Sequence, residues 1–412
     1  MLKWVWLVIT ITTSGISFTA YDTNAHGGIQ VMLNQAAPIS TPTIVPTSVP
    51  TPVTTIAPTP VPTFAAGTFW TNGKQIPALF ANSNFGASGP LYQLLPVSPV
   101  IASYSASAVS YYFANNAGDF NVGLVDSNNQ QGQYDYRFPI YVASLADPLV
   151  TIVGPCVENG GQIHLPALAK QAGGEDHHLG VIEPNGVEYD FWLVTSVPPY
   201  VNGSKLVSQG CGSLYLSGAN SGPTFIAPGF GFEMATAGGI ALSAGQIYTS
   251  ELAAGVINHA IAYNLPCESI GWVFPATQQT GTCANGNGVP LGSRIWWSPT
   301  DTATNAMNLP RDVKTILIAM HHYGGYFTDN GNGTSNINGQ GGGIGTKVES
   351  NQPYWVYGGG VDPALNYVKS SPGWNHIIVS SANLDRWILV TTGAQVDFLH
   401  NIKFLDPALT HS

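Results

Sequence analysis

Charged side chains are scarce in this chain of 412 residues, because only 8% of its residues are aspartate, glutamate, lysine or arginine. The 12 basic residues stand singly, and the 22 acidic residues give a formal net charge of −10. A protein that binds DNA or RNA needs a clustered basic surface to meet the phosphates. The charge distribution therefore argues against nucleic acid as a partner.

The motifs of several common enzyme classes are also absent. The sequence contains no Gly-x-Ser-x-Gly turn, no phosphate-binding P-loop, no dinucleotide fingerprint and no His-Glu-x-x-His helix. The sequence therefore gives no motif evidence for a serine esterase, a nucleotide-dependent enzyme or a zinc protease. We expect no cofactor. We also expect no metal, because Asp176, His178 and His259 have no recognised ligand spacing.

Long apolar runs are confined to the N-terminus. There, Lys3 precedes an apolar run from Trp4 to about Ala20, and small residues follow up to Ala25. This order predicts a secretory signal over residues 1–25. The alternative is an uncleaved N-terminal membrane anchor, because a run of about 17 residues approaches the shortest membrane span.

Cysteine is rare, and no Cys-x-x-Cys pair occurs among Cys156, Cys211, Cys267 and Cys283. An even set in an exported protein predicts two disulfides rather than a zinc site. Proximity favours Cys267 with Cys283 and Cys156 with Cys211, although four cysteines allow three connectivities. The expected location is secreted or extracellular, with attachment to the cell surface as a further option.

What the chain does contain predicts a linker and then a mainly β domain. Residues 26–66 are expected to form a proline- and threonine-rich linker, because the stretch from about 36 to 63 alternates proline with small or β-branched residues and carries no charge. After it, short runs of valine, isoleucine and aromatic residues are separated by glycine, asparagine and proline clusters. We expect residues 67–412 to form one β-sandwich, of jelly-roll or concanavalin-like type, with two or three added helices.

Helical periodicity is confined to a few segments. One predicted helix begins at Thr249 or Ser250 and continues to Tyr263, and a second runs from Pro310 to a glycine stop at Gly324-Gly325. A shorter helix is expected after Asp362-Pro363. The glycine- and asparagine-rich run at 330–345 is expected to be a surface loop.

The densest group of polar side chains surrounds the turn Pro184-Asn185-Gly186. This turn predicts a hairpin in which positions whose numbers sum to 370 face each other. Asp176, His178, Asp190 and Trp192 then share one face of the hairpin. Together they would make a floor for a polar ligand site. The alternative is an aspartate–histidine hydrogen bond that only stabilises the hairpin.

The first predicted helix carries Glu251 and His259 about two turns apart, with their backbones about 12 Å from each other. On that geometry the two side chains share a face but do not touch. A structural interpretation also stays open, with Glu251 as a favourable first-turn charge and His259 as a hydrogen-bonded core residue.

Four further residues are candidates for substrate binding. Arg294 combined with Trp296 suits sugar rings and uronate carboxylates, since a guanidinium donates in a fork and an indole offers a stacking surface. Adjacent tryptophans on a strand face opposite sides, so either Trp296 or Trp297 is expected in the core. Trp192 on the hairpin and Asp329 after the second helix complete the set.

Several of these residues recur in an ordered pattern. The pattern comprises Asp176-His177-His178 with Asp190-Phe191-Trp192, then Glu251, Gly255, Ile257, His259 and Ala260, then Pro290, Gly292 and Arg294, then Tyr323-Gly324 and Asp329-Asn330-Gly331. Over about residues 135 to 370 it resembles a family of secreted bacterial proteins with no established reaction. His177 stands where that family usually has arginine, and residues after about 375 extend beyond its core. The resemblance implies that the hairpin and the first helix form a recurring signature.

These features predict a secreted enzyme that acts on extracellular polysaccharide or cell-surface glycan, as a glycoside hydrolase or lyase. Its catalytic candidates are Asp176, His178, Asp190, Glu251 and His259, because hydrolysis uses paired carboxylates and elimination uses a base such as histidine. The alternative is a non-catalytic glycan-binding or cell-surface module. An enzyme should place the candidates around an open cleft, whereas a binding module should bury them as hydrogen-bonded pairs and expose an aromatic strip.

Overall fold

The computed structural model describes residues 91–114, 138–156, 159–173, 175–215, 235–278, 280, 283, 288–330, 363–379 and 397–407, together with short strands elsewhere. The chain divides into two compact units, Met1–Val61 and Pro62–Ser412. The proline-rich stretch at 36–63 and most of the glycine-rich run at 330–345 lie outside the described residues.

The first unit contains one antiparallel sheet in the order β1-β2-β3. Its strands are β1 (Val5–Thr12), β2 (Gly15–Asp22) and β3 (Ile29–Val31). The secretory signal expected in this unit stays a prediction. In the described part of the chain, no helix is long and apolar enough to cross a membrane.

The second unit consists mainly of short strands. They are β4 (Phe69–Thr71), β5 (Lys74–Ile76), β6 (Phe120–Asp126), β7 (Ile140–Val142), β8 (Leu149–Val153), β9 (Gln162–His164), β10 (Leu179–Ile182), β11 (Val187–Trp192), β12 (Lys205–Val207), β13 (Gly210–Tyr215), β14 (Gly222–Pro223), β15 (Ile247–Tyr248), β16 (Ile261–Leu265), β17 (Arg294–Trp297), β18 (Gly325–Asn330), β19 (Ile344–Thr346), β20 (Val348–Glu349), β21 (Asn375–Val379), β22 (Leu384–Thr391) and β23 (Ile402–Phe404). The α-helices are α1 (Ser105–Val109), α2 (Thr249–Ala254), α3 (Asp301–Ala306), α4 (Arg311–His322), α5 (Pro363–Ser370) and α6 (Phe398–Asn401), and a short π-helix (Ser110–Ala114) follows α1.

Three larger sheets organise this unit. An eight-stranded sheet has the order β21-β22-β6-β19-β16-β18-β17-β23, a five-stranded sheet has β14-β13-β11-β10-β7, and a three-stranded sheet has β12-β8-β9. Each sheet mixes parallel and antiparallel pairs, for example β10 parallel to β7 and antiparallel to β11. The mainly β prediction is therefore confirmed. The described helices exceed the two or three expected, because α1, α3 and α6 are too short to show helical periodicity.

A first hydrophobic core contains side chains from both the five-stranded and the three-stranded sheets. Leu179, Val181 and Phe191 enter it from the hairpin, and Val150 and Ile152 enter it from β8. All five side chains are fully buried. Since strand side chains alternate, the even-numbered hairpin positions point away from this core.

The even-numbered side of the hairpin faces a second, larger core. Ile182 and the half-buried Trp192 pack into it together with Ile316 and Leu317 of α4 and Phe327 of β18. Both faces of the hairpin are thus covered by protein. The polar side chains of the hairpin therefore face protein groups.

Several sequence predictions are confirmed at the level of individual pairs. Leu179 pairs with Phe191 and Ile182 with Glu188, so paired numbers sum to 370 as expected. Gly186 takes the left-handed backbone, with φ of 82°, that the predicted turn requires. The disulfides join Cys156 to Cys211 and Cys267 to Cys283, which is the favoured pairing. Two disulfides are typical of a protein in an oxidising environment. Helix α4 and helix α5 also occur where they were predicted.

The predicted helix from residue 249 to 263 is wrong in its second half. Helix α2 ends at Ala254, because Gly255 takes a left-handed conformation with φ of 76° and its N–H returns to the Glu251 carbonyl at 2.8 Å. The chain then reverses, and Ile261–Leu265 forms β16 with alternating buried and half-buried side chains. That alternation has the period of a strand.

Candidate functional site

The polar face of the hairpin lies against a buried segment of the same chain. Every residue from Ala235 to Thr249 is buried, and we call this stretch the covering segment. Its backbone and side-chain donors meet the hairpin carboxylates directly. The predicted floor of a polar ligand site is therefore covered by protein.

Asp190 and Glu188 make the contacts between hairpin and covering segment. The N–H of Leu242 donates to Asp190 Oδ2 at 2.8 Å. The N–H of Ser243 donates to Glu188 Oε1 at 3.0 Å, and its hydroxyl donates to Glu188 Oε2 at 2.5 Å. Both carboxyl side chains have no solvent exposure. Sequence reasoning overlooked Glu188, although its position two residues from Asp190 on one strand face carried the signal.

Burial changes the acidity of both groups. It raises the pKa of Asp190 well above its usual range, and the charge of Glu188 raises that pKa further. Burial also raises the pKa of Glu188, while the hydrogen bonds from Ser243 act in the opposite direction. The two carboxyls therefore resist ionisation as a pair.

His178 and Asp176 are engaged at the open end of the hairpin. His178 is 2% exposed, its Nε2 lies 3.1 Å from the Ala235 carbonyl, and its ring meets Phe138 edge-on at 4.8 Å. The indole N–H of Trp192 donates to Asp176 Oδ1 at 3.1 Å. Both catalytic candidates thus have structural partners in the hairpin region.

Glu251 and His259 touch each other, contrary to the sequence expectation. Their closest atoms, Glu251 Oε1 and His259 Nε2, are 3.0 Å apart. The contact forms because the chain reverses after Gly255. On one continuous helix, the two side chains would lie too far apart to touch. Glu251 Oε2 also accepts the N–H of Tyr248 at 2.9 Å, so the carboxylate caps the first turn of α2.

Both ring nitrogens of His259 face acceptors, since Nδ1 lies 2.9 Å from the Ala260 carbonyl. Burial by itself lowers the pKa of His259, but the charge and hydrogen bond of Glu251 and the Ala260 carbonyl together raise it above its usual value. The imidazole is 5% exposed and its Glu251 partner 23% exposed. Tyr92 lies edge-on to the imidazole at 6.0 Å. This arrangement is a hydrogen-bonded carboxyl–imidazole pair that fixes the start of α2, and it becomes an ion pair when His259 is protonated.

The four substrate-binding candidates are distributed over different parts of the fold. Arg294 is buried, and its guanidinium donates to the backbone carbonyls of Tyr323 and Gln93 and lies 5.0 Å above the Tyr326 ring. Burial lowers the pKa of Arg294. With its donors engaged by the backbone, this guanidinium has an interior role that does not require a ligand.

The remaining aromatic and acidic candidates are half-buried. Trp296 donates its indole N–H to the His321 carbonyl at 3.1 Å and stacks on the His321 ring. Trp297 is fully buried, so the prediction that one of the adjacent tryptophans belongs to the core is confirmed. Asp329 Oδ1 accepts the N–H of Ala237 at 2.9 Å and so supports the covering segment.

A different feature reaches solvent within the disulfide-bounded segment from Cys267 to Cys283. Ile270 is 84% exposed, Trp272 51% and Phe274 44%, and we call these three residues the apolar strip. Sequence reasoning missed them. Three large apolar residues interrupted by Gly271, inside a small disulfide loop, were the available signal.

The backbone beneath the apolar strip is held at several points. Ser269 N donates to the Val289 carbonyl at 3.0 Å, and Val273 N donates to the Leu291 carbonyl at 2.9 Å. Cys283 N donates to the Glu268 carbonyl at 2.8 Å, next to the disulfide. A surface fixed in this way loses little conformational entropy when a ligand binds.

Within the described ranges, no group of three or more histidine, cysteine, aspartate and glutamate side chains is placed to hold a metal ion. Comparison of the chain with models of protein families, with curated proteins and with solved structures finds no match. A functional proposal for this chain therefore depends on its own residues.

Proposed function

We propose that this chain is a non-catalytic glycan-binding module of the cell exterior, and that the apolar strip of Ile270, Trp272 and Phe274 contacts the sugar rings. The exposure of Trp272 and Phe274 on a fixed backbone is the observation that carries the proposal. Larger exposed apolar patches mark interaction surfaces in soluble proteins. Aromatic rings offer a large contact area at low cost in conformational entropy.

The contacts of the polar candidates support binding rather than catalysis. Asp190 bonds the covering segment, His178 faces the Ala235 carbonyl, and Asp176 accepts from Trp192. Glu251 and His259 form an ion pair with each other. Buried, hydrogen-bonded pairs beside an exposed aromatic strip are the arrangement that distinguishes a binding module from an enzyme.

The charge of the chain favours a neutral glycan. A net charge of −10 repels uronate or sulfate groups at a distance. Arg294, the cation that suited a uronate carboxylate, is buried and donates to backbone carbonyls. An unsubstituted hexose or pentose polymer therefore fits the strip better than an acidic one.

We also infer where the module lies relative to the cell. We infer that the packed five-stranded and three-stranded sheets form a sandwich, which holds the strip on a stiff scaffold. An N-terminal signal or anchor would export the chain, and the proline-rich linker would hold the module away from the surface. The two disulfides are compatible with that location.

Retention of the full chain on a panel of immobilised neutral and acidic polysaccharides tests the proposal. We expect retention on at least one neutral polymer, with no release of reducing ends or unsaturated uronates. The double variant Trp272→Ala/Phe274→Ala should bind that polymer at least about tenfold more weakly, since one aromatic contact is worth about 1.5 kcal/mol.

The matched control is Leu145→Ala/Val197→Ala, which removes two exposed apolar side chains far from the strip in sequence. It should bind like the unchanged chain. Equal losses in both double variants would indicate nonspecific apolar binding and contradict the proposal. Release of reducing ends or unsaturated uronates would contradict the proposal and favour a polysaccharide hydrolase or lyase.

A further inference from the structure

Glu188 and Asp190 form a buried carboxyl pair with few hydrogen-bond donors. They lie two residues apart on β11, and both side chains are fully buried. The donors described for the pair are the N–H and hydroxyl of Ser243 and the N–H of Leu242. Asp190 Oδ1 is buried without a partner among the described residues. Two ionised carboxylates in such a site would be strongly unfavourable.

Among the described residues, the segments packed against the pair supply little charge to neutralise it. The covering segment contains no aspartate, glutamate, lysine, arginine or histidine, and its one titratable side chain is Tyr248. Gly180 and Gly212 are the cross-strand neighbours of Asp190. These positions place no cation beside the carboxyls.

On the hairpin face itself, the other titratable groups are His178 and Asp176. His178 Nε2 lies 3.1 Å from the Ala235 carbonyl and donates to it. Asp176 accepts from the indole of Trp192. A proton retained between Glu188 and Asp190 would remove the second negative charge.

We propose that Glu188 and Asp190 share one proton, and that this proton clamps the covering segment onto the hairpin. The protonated carboxyl donates its O–H to the other carboxylate, while the remaining oxygens accept from Leu242 and Ser243. When the proton leaves to solvent base, two negative charges face each other inside the protein. The covering segment then separates to admit water.

The covering segment also connects the carboxyl pair to the apolar strip. The Gly238 carbonyl accepts the N–H of Thr277 at 2.8 Å, and the Thr236 carbonyl accepts from the Gln278 side chain at 2.8 Å. Thr277 follows the strip by three residues. Release of the covering segment at high pH therefore removes support from the strip, so glycan binding should weaken there. This last step depends on the proposed glycan-binding function.

The direction of the pH effect follows from the acidity of the pair. Folding raises the pKa of Asp190 through burial and then through the charge of Glu188, so the folded chain keeps a proton that the unfolded chain loses. The stabilisation is complete below the usual aspartate pKa of 3.8 and is lost as pH rises through the folded pKa. The pair should therefore stabilise the chain more in acid than at alkaline pH.

The variant Asp190→Asn tests the clamp, because its amide N–H replaces the shared proton at every pH. The melting temperature of the full chain is measured from pH 4.5 to 9.5, with Glu175→Gln as the control. Glu175 is exposed, and its substitution likewise replaces one carboxyl group with an amide. We expect the melting temperature of the unchanged chain and of the control to fall at least about 3 °C further at alkaline pH than that of Asp190→Asn.

Amide hydrogen exchange of residues 235–249, corrected for intrinsic rates, provides a second measurement without glycan. Exchange should accelerate at alkaline pH in the unchanged chain and not in Asp190→Asn. Equal pH dependence in the two proteins overturns the clamp, as does failure of both Asp190→Asn and Glu188→Gln to fold at any pH. If the clamp behaves as expected and no glycan is retained at any pH, the clamp stands and the glycan-binding proposal fails.

Discussion

The hairpin with its covering segment and the loop between Cys267 and Cys283 place their side chains in opposite ways. The first region buries carboxyls completely, with Glu188 and Asp190 at no exposure. The second exposes large apolar groups, with Trp272 at 51%. In most soluble proteins charged groups lie outside and large apolar groups inside.

The contrast shows that polarity alone does not identify a functional residue. Glu188 and Asp190 each accept from backbone or hydroxyl donors of the covering segment. The indole of Trp272 and the phenyl ring of Phe274 stay 51% and 44% exposed, although burial would have removed more apolar surface from water. We therefore attribute structure to the polar region and binding to the apolar one.

The largest expected effect tests whether the buried carboxyls hold the hairpin region together. Glu188→Ala should lower the free energy of unfolding by about 3 to 5 kcal/mol, because it leaves the N–H and hydroxyl of Ser243 without their acceptor and opens a cavity. Denaturant unfolding at pH 5 measures the change. Glu175→Ala, at an exposed position four residues before β10, should change it by less than about 0.5 kcal/mol. Equal effects would show that the buried carboxyl does not hold this region.

Removal of the second disulfide tests how the exposed region is held. Cys267→Ala/Cys283→Ala should lower the free energy of unfolding by about 3 kcal/mol, the value for a closed loop of this size, where the two cysteines are 16 residues apart. Glycan retention should fall as well, because the backbone beneath the apolar strip gains freedom. Thermal unfolding and retention are measured on the same preparation. Full retention in the variant would mean that the strip needs no fixed backbone.

The smallest expected effect on stability concerns the Glu251–His259 ion pair. His259→Gln should lower the free energy of unfolding by about 2 kcal/mol at pH 6, as for loss of a charged hydrogen bond. Folding raises the pKa of His259, so this stabilisation is complete below the usual pKa of 6.5 and declines as pH rises through the folded value. The difference from the unchanged chain should therefore shrink at high pH.

Glu251→Gln is the matched control for that measurement, because glutamine still accepts the Tyr248 N–H at the start of α2 while losing the charge. It should reduce the pH dependence as His259→Gln does. A stability difference that is constant from pH 5 to pH 9 would contradict an ion pair.

Local patterns predicted the hairpin well. The turn Pro184-Asn185-Gly186 sets the register, and period-two alternation assigns each side chain to a face, so both follow from neighbouring residues. The favoured disulfide pairing was also confirmed from proximity along the chain. These features depend on short-range geometry, which sequence carries directly.

Long-range contacts were not predictable in the same way. The contact between Glu251 and His259 depends on Gly255 ending the helix, yet an isolated glycine within apolar periodicity is also tolerated inside helices. The covering segment has no periodic pattern at all, and its position follows from donors that meet Glu188 and Asp190. The long-range partners of a carboxyl depend on tertiary packing. The spacing of residues along the chain does not predict that packing.

The most direct test of the account is the dissociation constant of Trp272→Ala for the best-retained neutral polysaccharide, measured alongside its melting temperature. We predict at least about tenfold weaker binding with a melting temperature within about 1 °C of the unchanged chain. Unchanged binding, or a loss of binding that accompanies unfolding, would contradict the assignment of binding to the exposed strip.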